Sequence, residues 1–367
     1  MKILVISSSV GAGGREMAVP NISKELIKKG HEVFIVVKKG TWLEKECEKL
    51  NLPFKSFANR KYFDPKFLVD LKRVFNVFQP EEVHIHFISD IWHVVPLVKL
   101  AYPKCKIFLF RHMQSSPMKD LTRTMLFKGL DKIFAVSHFI RNDFLHKTKV
   151  HENKVEVLYQ GLDIEEFKMH DNDKSFRQEL GVSDDTELIG LVGRVDRAKG
   201  QDKLIFAAEE ILKHKDNVKF AIIGDSEIEK KFGKDVAYVD EIKTLVHEHN
   251  LEDYFIFTGF RADVPRVLSS LDIFVCASKE EAFGLVVIEA MAAEKPVVVF
   301  DRGALPEMVK NGKTGVVVPY SVKGLANGIL AYIKNPNLKK EYAKNAREFA
   351  IQNFDIKNTI ARIEGYK

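Results

Sequence analysis

The chain opens on an apolar run, Ile3-Leu4-Val5-Ile6, and short β-branched or aromatic runs return along its whole length. Lys2–Ile6, Val33–Val37, Val83–Phe87, Ile107–Phe110, Ile133–Val136 and Val155–Leu158 have the length and near-continuous apolar character of strands buried on both faces. Between them, Glu16–Lys29, Pro65–Phe78 and His138–His146 carry apolar residues at helical spacing, and Gly30 stands where a C-cap glycine is expected. Strands alternating with helices predict a parallel, doubly wound α/β sheet.

The pattern restarts after the polar stretch His170-Asp171-Asn172-Asp173-Lys174. Strands are predicted at Leu188–Val192, Val218–Ile223, Phe255–Phe257, Ile273–Cys276, Val297–Phe300 and Gly315–Val318. Helices are predicted at Lys203–Lys213, Val236–His249, Val264–Ser269 and Phe283–Ala293. The chain therefore reads as two Rossmann-like domains, residues 1–165 and 166–345, with the junction between Gly161 and Ser175. A last helical stretch, Leu338 to Tyr366, is long enough to reach both domains, and residues 346–367 are expected to pack back on the first.

Composition agrees with this picture: 367 residues suit two domains, and 46% apolar with 29% charged residues is globular rather than disordered. The apolar runs are far shorter than the roughly 18 residues of a spanning helix. Met1 to Ile6 reads as a strand rather than a signal peptide. Cys47, Cys105 and Cys276, odd in number and far apart, suit buried thiols in a reducing cytosol. The net charge of +6 is uneven: residues 1–170 carry +9 and residues 171–367 carry −3. The excess lies largely between Lys104 and Lys149, where only Asp120, Asp131 and Asp143 oppose the cations. It is either a solvated face or a surface for an anionic acceptor or membrane. No nucleic-acid motif accompanies it.

Three turns carry candidate chemistry. The first, Ser7 to Glu16, contains Gly11, Gly13 and Gly14 and opens a helix, whose N–H groups can face an anion. Glu16 stands where a dinucleotide fingerprint wants a third glycine or alanine, and the second strand ends in Lys38-Lys39 without an acid for a ribose. A nicotinamide enzyme is thereby disfavoured. The second turn, Gly193 to Gly200, brings Arg194 and Lys199 to the carboxyl end of a strand, where two cations can neutralise a diphosphate without a metal. The third runs from Ser278 to Ala293. Glu281 lies in its loop, Phe283, Gly284 and Leu285 at a helix N-terminus, and Glu289 on an otherwise apolar helix. Such a carboxylate needs a partner, and vicinal hydroxyls of a sugar or ribose would supply one.

The run Glu281-Ala282-Phe283-Gly284-Leu285…Glu289-Ala290 resembles the paired-glutamate motif of the retaining glycosyltransferases of family 4, which have the GT-B fold. The resemblance extends through Gly13-Gly14, Gly30-His31-Glu32-Val33, Gly161-Leu162-Asp163…Phe167, Gly193-Arg194…Lys199-Gly200, Ile223-Gly224-Asp225, Thr258-Gly259-Phe260 and Gly303 to Glu307. Gln160 departs from it, replacing the asparagine often found before that glycine. The resemblance implies two Rossmann-like domains facing across a cleft that binds a nucleotide sugar, UDP-linked by preference. It implies that Arg194 and Lys199 grip the diphosphate, Glu281 the sugar and Glu289 the ribose. Main-chain groups of Gly13, Gly14 and Phe283 to Leu285 would surround phosphates and sugar, and His112 would line the reaction centre rather than the surface after its strand.

No cofactor and no metal are expected. His84 and His86 alternate on a strand without a cysteine or carboxylate apparent nearby, and the Asp-x-Asp run at Asp171 and Asp173 lies in a polar linker. The expected acceptor is a glycan or lipid-linked precursor of a polysaccharide or lipopolysaccharide. An anionic inner membrane surface would attract Lys119, Arg123 and Lys128, which share a helix with Leu121, Met125 and Leu126. The alternatives are a nucleotide-sugar epimerase of similar fold and a catalytically silent scaffold homologue.

Overall fold

The computed structural model describes residues 1–11, 13–58, 64–168, 173–225 and 237–366. It divides into two compact units, residues 1–161 with 356–367, and residues 162–355. The chain crosses at 161/162 and 355/356, rather than at 165/166 and 345/346 as the sequence suggests. The packing at Gly161 accounts for the first crossing. A Cβ there would stand 2.4 Å from the Ile356 Cα, so the segment leaving the first unit lies hard against the one re-entering it.

The first unit is a seven-stranded sheet with spatial order β3-β2-β1-β4-β5-β6-β7 and parallel neighbours throughout. The strands are β1 (Lys2–Ser7), β2 (Glu32–Lys38), β3 (Phe54–Phe57), β4 (Glu82–Ile85), β5 (Lys106–Arg111), β6 (Lys132–Ala135) and β7 (Val155–Val157). All six predicted strands are present. The sequence missed β3, a four-residue edge strand that is half-exposed and includes Lys55 and Ser56, so it lacks the apolar run of the inner strands. Helices α1 (Gly14–Lys28), α2 (Trp42–Lys49), α3 (Pro65–Phe78), α4 (Ile91–Ala101), α5 (Leu121–Lys128) and α6 (His138–Lys147) connect them. On one face of the sheet, Ile3, Val5, Phe108, Phe110 and Phe134 meet Ala18, Val19 and Ile22 of α1 in one core cluster.

After α7 (Ile164–Lys168) and α8 (Ser175–Glu179), the second unit forms a six-stranded parallel sheet of order β10-β9-β8-β11-β12-β13. Its strands are β8 (Glu187–Val192), β9 (Val218–Ile223), β10 (Phe255–Gly259), β11 (Ile273–Cys276), β12 (Val297–Phe300) and β13 (Val316–Val318). Helices α9 (Gln201–Leu212), α10 (Ala237–Glu248), α11 (Val264–Ser269), α12 (Leu285–Ala292), α13 (Leu305–Met308), α14 (Val322–Lys334) and α15 (Pro336–Phe354) complete it.

The single terminal helix expected from Leu338 to Tyr366 is two helices. Asp355 is extended (φ −64°, ψ 132°), and the Phe354 carbonyl accepts the Leu162 N–H at 2.9 Å. α16 (Ile356–Glu364) then places Ile356, Ile360 and Ile363 in the first unit's core.

Candidate functional site

In each sheet the strand order reverses once, between β1 and β4 and between β8 and β11. Ligands of open parallel sheets bind outside the carboxyl ends of strands at such switch points.

In the second unit, the loop after β8 and the loop after β11 are tied together by the Lys279 N–H, which donates to the Ala198 carbonyl at 2.8 Å. They approach most closely at Gly200, which has φ +73° and whose Cβ, if present, would lie 2.0 Å from the Ala277 carbonyl oxygen. Only glycine tolerates both conditions. This contact sets Lys199 beside Glu281. The Lys199 ammonium pairs with the Glu281 carboxylate, and the Ser278 hydroxyl donates to the same oxygen at 2.8 Å. Burial works to lower the Lys199 pKa, but the Glu281 carboxylate and the smaller attractions beside it, Asp196 among them, together outweigh it and the net shift is upward, so the side chain stays cationic. The Ala304 N–H donates to the Glu281 carbonyl at 2.8 Å and fixes the loop from the other side. Burial pushes the nearby Cys276 thiol up to about 11, which leaves it protonated and inert.

Arg194 is exposed and ion-paired with Asp196 at 3.0 Å. Its carbonyl accepts from Nε2 of Gln201, a fully buried side chain that the sequence reading passed over because nothing local marks a glutamine as a loop anchor. Phe283 is a core residue, edge-on to Phe354 at 6.0 Å. Gly284 (φ +89°) heads α12 without a side-chain cap, which leaves the helix N-terminus of Leu285 and its successors available to an anion. Glu289 lies one turn further on, half-buried, and no hydrogen bond or ion pair engages its carboxylate among the described residues. Burial, with the neighbouring Glu166 carboxylate, pushes its pKa up to about 7.

In the first unit the corresponding position is closed by a different arrangement. Ser8, just after β1, gives its N–H to Asp90, just after β4, at 2.9 Å, and its hydroxyl bonds the same carboxylate. Burial pushes Asp90 up to about 6, a rise that the Ser8 bonds hold back. The glycine turn before α1 also holds a carboxylate of its own. Glu16 is buried, bonded to the Ser9 hydroxyl and to Arg15 Nε at 2.7 Å. Gly13 and Gly14 are exposed, and the Gly14 carbonyl accepts from Nε2 of buried Gln160 at 3.0 Å. The residue that departs from the family pattern thus ties the end of the first unit's β-α series back to the start of α1.

His112 is buried, not a surface residue. Its Nε2 lies 3.1 Å from Nδ1 of His86, and the two rings stack with centroids 5.3 Å apart. Burial, with the cations of Arg15 and Arg111, lowers the His112 pKa to about 3, so the imidazole is neutral. His84 does have a carboxylate beside it, Glu82 at 3.3 Å, contrary to the sequence reading. Even so, no group of three or more His, Cys, Asp or Glu is arranged to hold a metal ion among the described residues. Of the Asp-x-Asp run, Asp171 lies outside the described residues. Asp173 accepts from the Ser175 N–H at 2.9 Å, and its carbonyl accepts from the Ser269 and Ser270 hydroxyls. Among the described residues no helix is long and apolar enough to cross a membrane.

Comparison with known proteins follows the same division. Residues 12–166 match glycosyltransferase family 4 and residues 172–349 match the glycosyl transferases group 1. YtcC of Bacillus subtilis is 30% identical over 296 residues, 75% of this chain and 71% of that protein. The lipopolysaccharide core biosynthesis mannosyltransferase LpcC of Rhizobium leguminosarum is 32% identical over 177 residues, 48% of this chain and 49% of LpcC. The crystal structure of HepE from Anabaena in complex with UDP superposes with a TM-score of 0.85 at 22% identity, covering 100% of this chain and 99% of HepE. With two parallel α/β units and a matching family for each, the chain belongs to the family 4 glycosyltransferases and has the two-domain GT-B fold.

Proposed function

We propose that the protein is a retaining, metal-independent hexosyltransferase that takes its sugar from a nucleotide diphosphate, UDP in preference, and passes it to a cell-surface glycan or a lipid-linked precursor. The observation that carries this reading is the second unit's switch point. There Lys199, Glu281 and Ser278 form one bonded cluster, with Arg194 at the surface end of the same loop and an uncapped helix N-terminus following. Arg194 and Lys199 hold the diphosphate and stabilise the charge that grows on it as the glycosidic bond breaks. Glu281 receives sugar hydroxyls, and Glu289, which has no partner among the described residues, receives those of the ribose. His112, with Gly13 and Gly14, borders the transferred sugar. The leaving phosphate takes the acceptor proton, and the anomeric configuration is retained. UDP bound to HepE and the lipopolysaccharide role in LpcC's name support the donor and acceptor classes.

Saturation-transfer NMR against a panel of nucleotide sugars tests the donor. UDP-sugars should give the strongest transfer, and a panel without any binding overturns the reading. Chelator should leave activity whole, and the product should carry the donor's anomeric configuration.

The membrane part of the proposal rests on α5. Leu121 and Met125 are exposed while Leu126 is buried, so the helix does not pack all three into the core. Lys119 and Lys128 are exposed alongside, and each cation near an anionic bilayer contributes about 1 kcal/mol. Co-sedimentation with anionic but not neutral vesicles, lost when Lys119, Arg123 and Lys128 become glutamate, is the expected result. Absence of binding at low salt removes the membrane and leaves the transferase.

A further inference from the structure

A buried cation is ordinarily paired with a carboxylate, since burial removes the water that would otherwise stabilise its charge. Arg111, the last residue of β5, has no such pair. It is 6% exposed, its Nε has no hydrogen-bond partner, and no carboxylate forms an ion pair with it among the described residues. Its Nη2 donates to two neutral oxygens, the Met113 carbonyl at 2.9 Å and the Ser115 hydroxyl. Asp143 attracts it from beyond ion-pair distance but is itself paired with Lys147. Burial, opposed by Asp143 and reinforced by Arg15, lowers the Arg111 pKa only to about 10, so the guanidinium is charged at neutral pH.

A second guanidinium meets Met113 at its sulfur. Arg15, in the first turn of α1, gives Nε to Glu16 and Nη2 to the Ser9 hydroxyl, each at 2.7 Å. Those bonds hold the turn and fix the guanidinium, and Nη1 is left with the Met113 sulfur, at 3.1 Å. A thioether is a weak acceptor, so this corner of the fork is engaged without being well satisfied. Glu16 balances one of the two guanidinium charges, and the other stays uncompensated. The place is within reach of a ligand. The Arg15 side chain is 24% exposed and Met113 51%, and an unbranched methionine at the surface swings aside at little cost. The loops meeting here follow β1, β4 and β5, through Ser9, Phe87 and Met113, at the strand ends where ligands of parallel sheets bind. Both cations also act on His112, the residue before Met113.

We propose that Arg15, with the uncompensated charge of Arg111 behind it, is an oxyanion site for the acceptor: Arg15 Nη1 takes an oxygen of a phosphate or carboxylate that the acceptor carries, in place of the Met113 sulfur. A guanidinium suits such a group because it donates along fixed directions and stays charged. The +9 charge of residues 1–170 draws the same class of ligand towards this unit. That the anion belongs to an acceptor rests on the transferase reading, whereas the binding of an oxyanion does not, so the two are tested apart.

Methyl-¹³C-methionine NMR on the full chain reads the sulfur that must move, with Met113 assigned by the signal lost in Met113→Leu. Inorganic phosphate and sodium acetate are titrated separately at constant ionic strength. At least one should shift the Met113 methyl saturably below about 50 mM, and the stronger of the two names the group. Saturating UDP should leave that shift in place, because the donor diphosphate is held at Arg194 and Lys199 of the second unit. Arg15→Gln should weaken the anion about tenfold or more, the order of one charge-assisted hydrogen bond. If that variant does not fold, Arg15→Lys serves: it keeps the charge, loses the fork and should still weaken binding several-fold. No saturable shift with either anion, or a shift undiminished in the Arg15 variant, overturns the proposal and leaves the two arginines as clasps of the loop. A shift abolished by UDP also overturns it, by giving the anion to the donor. A panel of nucleotide sugars without any binding would instead remove the transferase reading and leave the oxyanion site standing.

Discussion

The two switch points occupy equivalent places in two similar sheets and are finished in different ways. In the first unit the strand-end loops are joined by Ser8 and Asp90, and the adjoining turn is filled by Glu16, Ser9 and Arg15. The polar groups of these two loops engage one another, although His86 Nε2 and His112 Nδ1, after β4 and β5, are buried without a partner among the described residues. In the second unit Lys199 and Glu281 join the loops, but beside them stand an uncapped helix N-terminus and a carboxylate, Glu289, without a partner among the described residues. Polar groups left unsatisfied in a partly buried place cost stability, and they persist where a ligand completes them. The first site is built to hold a loop shape. The second is built to be finished by something else.

The largest effect that would test this contrast comes from Lys199→Ala. If the ammonium stabilises charge on the leaving diphosphate, kcat should fall by about 10²–10³, as when one preorganised donor is removed from a reaction centre. Arg194→Ala should fall less, because its side chain is exposed and already engaged by Asp196. Steady-state rates at saturating donor measure both. An effect confined to KM would demote the pair to ground-state binding and weaken the contrast.

The glycines give the next test. Gly200→Ala meets a carbonyl oxygen at 2.0 Å with φ +73°, whereas Gly13 is extended (φ −166°) and its nearest neighbour, Glu16 Oε2, would lie 3.7 Å from a new Cβ. Gly200→Ala should therefore cost about 2–4 kcal/mol in denaturant titration, and Gly13→Ala within about 0.5 kcal/mol. Equal losses would mean that the first turn is as tightly constrained as the second.

The sequence showed the second site more fully than the first, for a physical reason. Arg194 with Lys199, and Glu281 with Glu289, sit within single loops or a single loop-helix segment, and their spacing carries the chemistry directly. The bonds that define the first site join distant positions: Ser8 to Asp90, His86 to His112, Gly14 to Gln160. Nothing near Gln160 or His86 announces such a partner, and both become intelligible only once the strands are in register. The fold was legible for the same reason the second site was. Buried parallel strands are local apolar runs, and twelve of the thirteen stood out; the half-exposed β3 did not. The break at Asp355 has no glycine or proline to mark it, since the cause is a hydrogen bond from Leu162.

Glu289 supplies a smaller test, read through pH. Its pKa rises from the ordinary 4.5 to about 7 on folding, so between those values the folded chain binds the proton that the unfolded chain has released. Stability accordingly falls as pH rises through that window, and the deficit is complete above pH 7. Glu289→Gln should match the wild type near pH 4 and exceed it at pH 8 by about 1–2 kcal/mol, the partial exposure of the carboxylate limiting the gain. Donor affinity should move oppositely. A ribose is best received by the charged carboxylate, so calorimetry should find wild-type affinity weakening below pH 7, and Glu289→Gln weak and flat with pH. A stabilised variant that still binds donor as tightly as wild type would show the carboxylate to be unsatisfied for some other reason.

Asp90 provides the matched case in the first unit, with the smallest expected effect. Its pKa rises from 3.8 to about 6, again through burial, so its contribution to stability also falls as pH rises, here from about pH 4 to pH 6. The difference lies in its partners. The Ser8 N–H at 2.9 Å and the Ser8 hydroxyl both favour the charged form, and Lys38 adds a weaker attraction. Asp90→Asn keeps an oxygen for the Ser8 N–H and gives up the charge, so the losses and gains nearly offset. Chemical denaturation at pH 8 should place it within about 1 kcal/mol of wild type. Donor affinity and its pH dependence should be unchanged, because this carboxylate is answered by the chain itself. If Asp90→Asn instead reproduced the Glu289→Gln pattern, with a clear gain in stability and a loss of donor binding, the first switch point would also be waiting for a ligand. The two sites would then be copies rather than opposites.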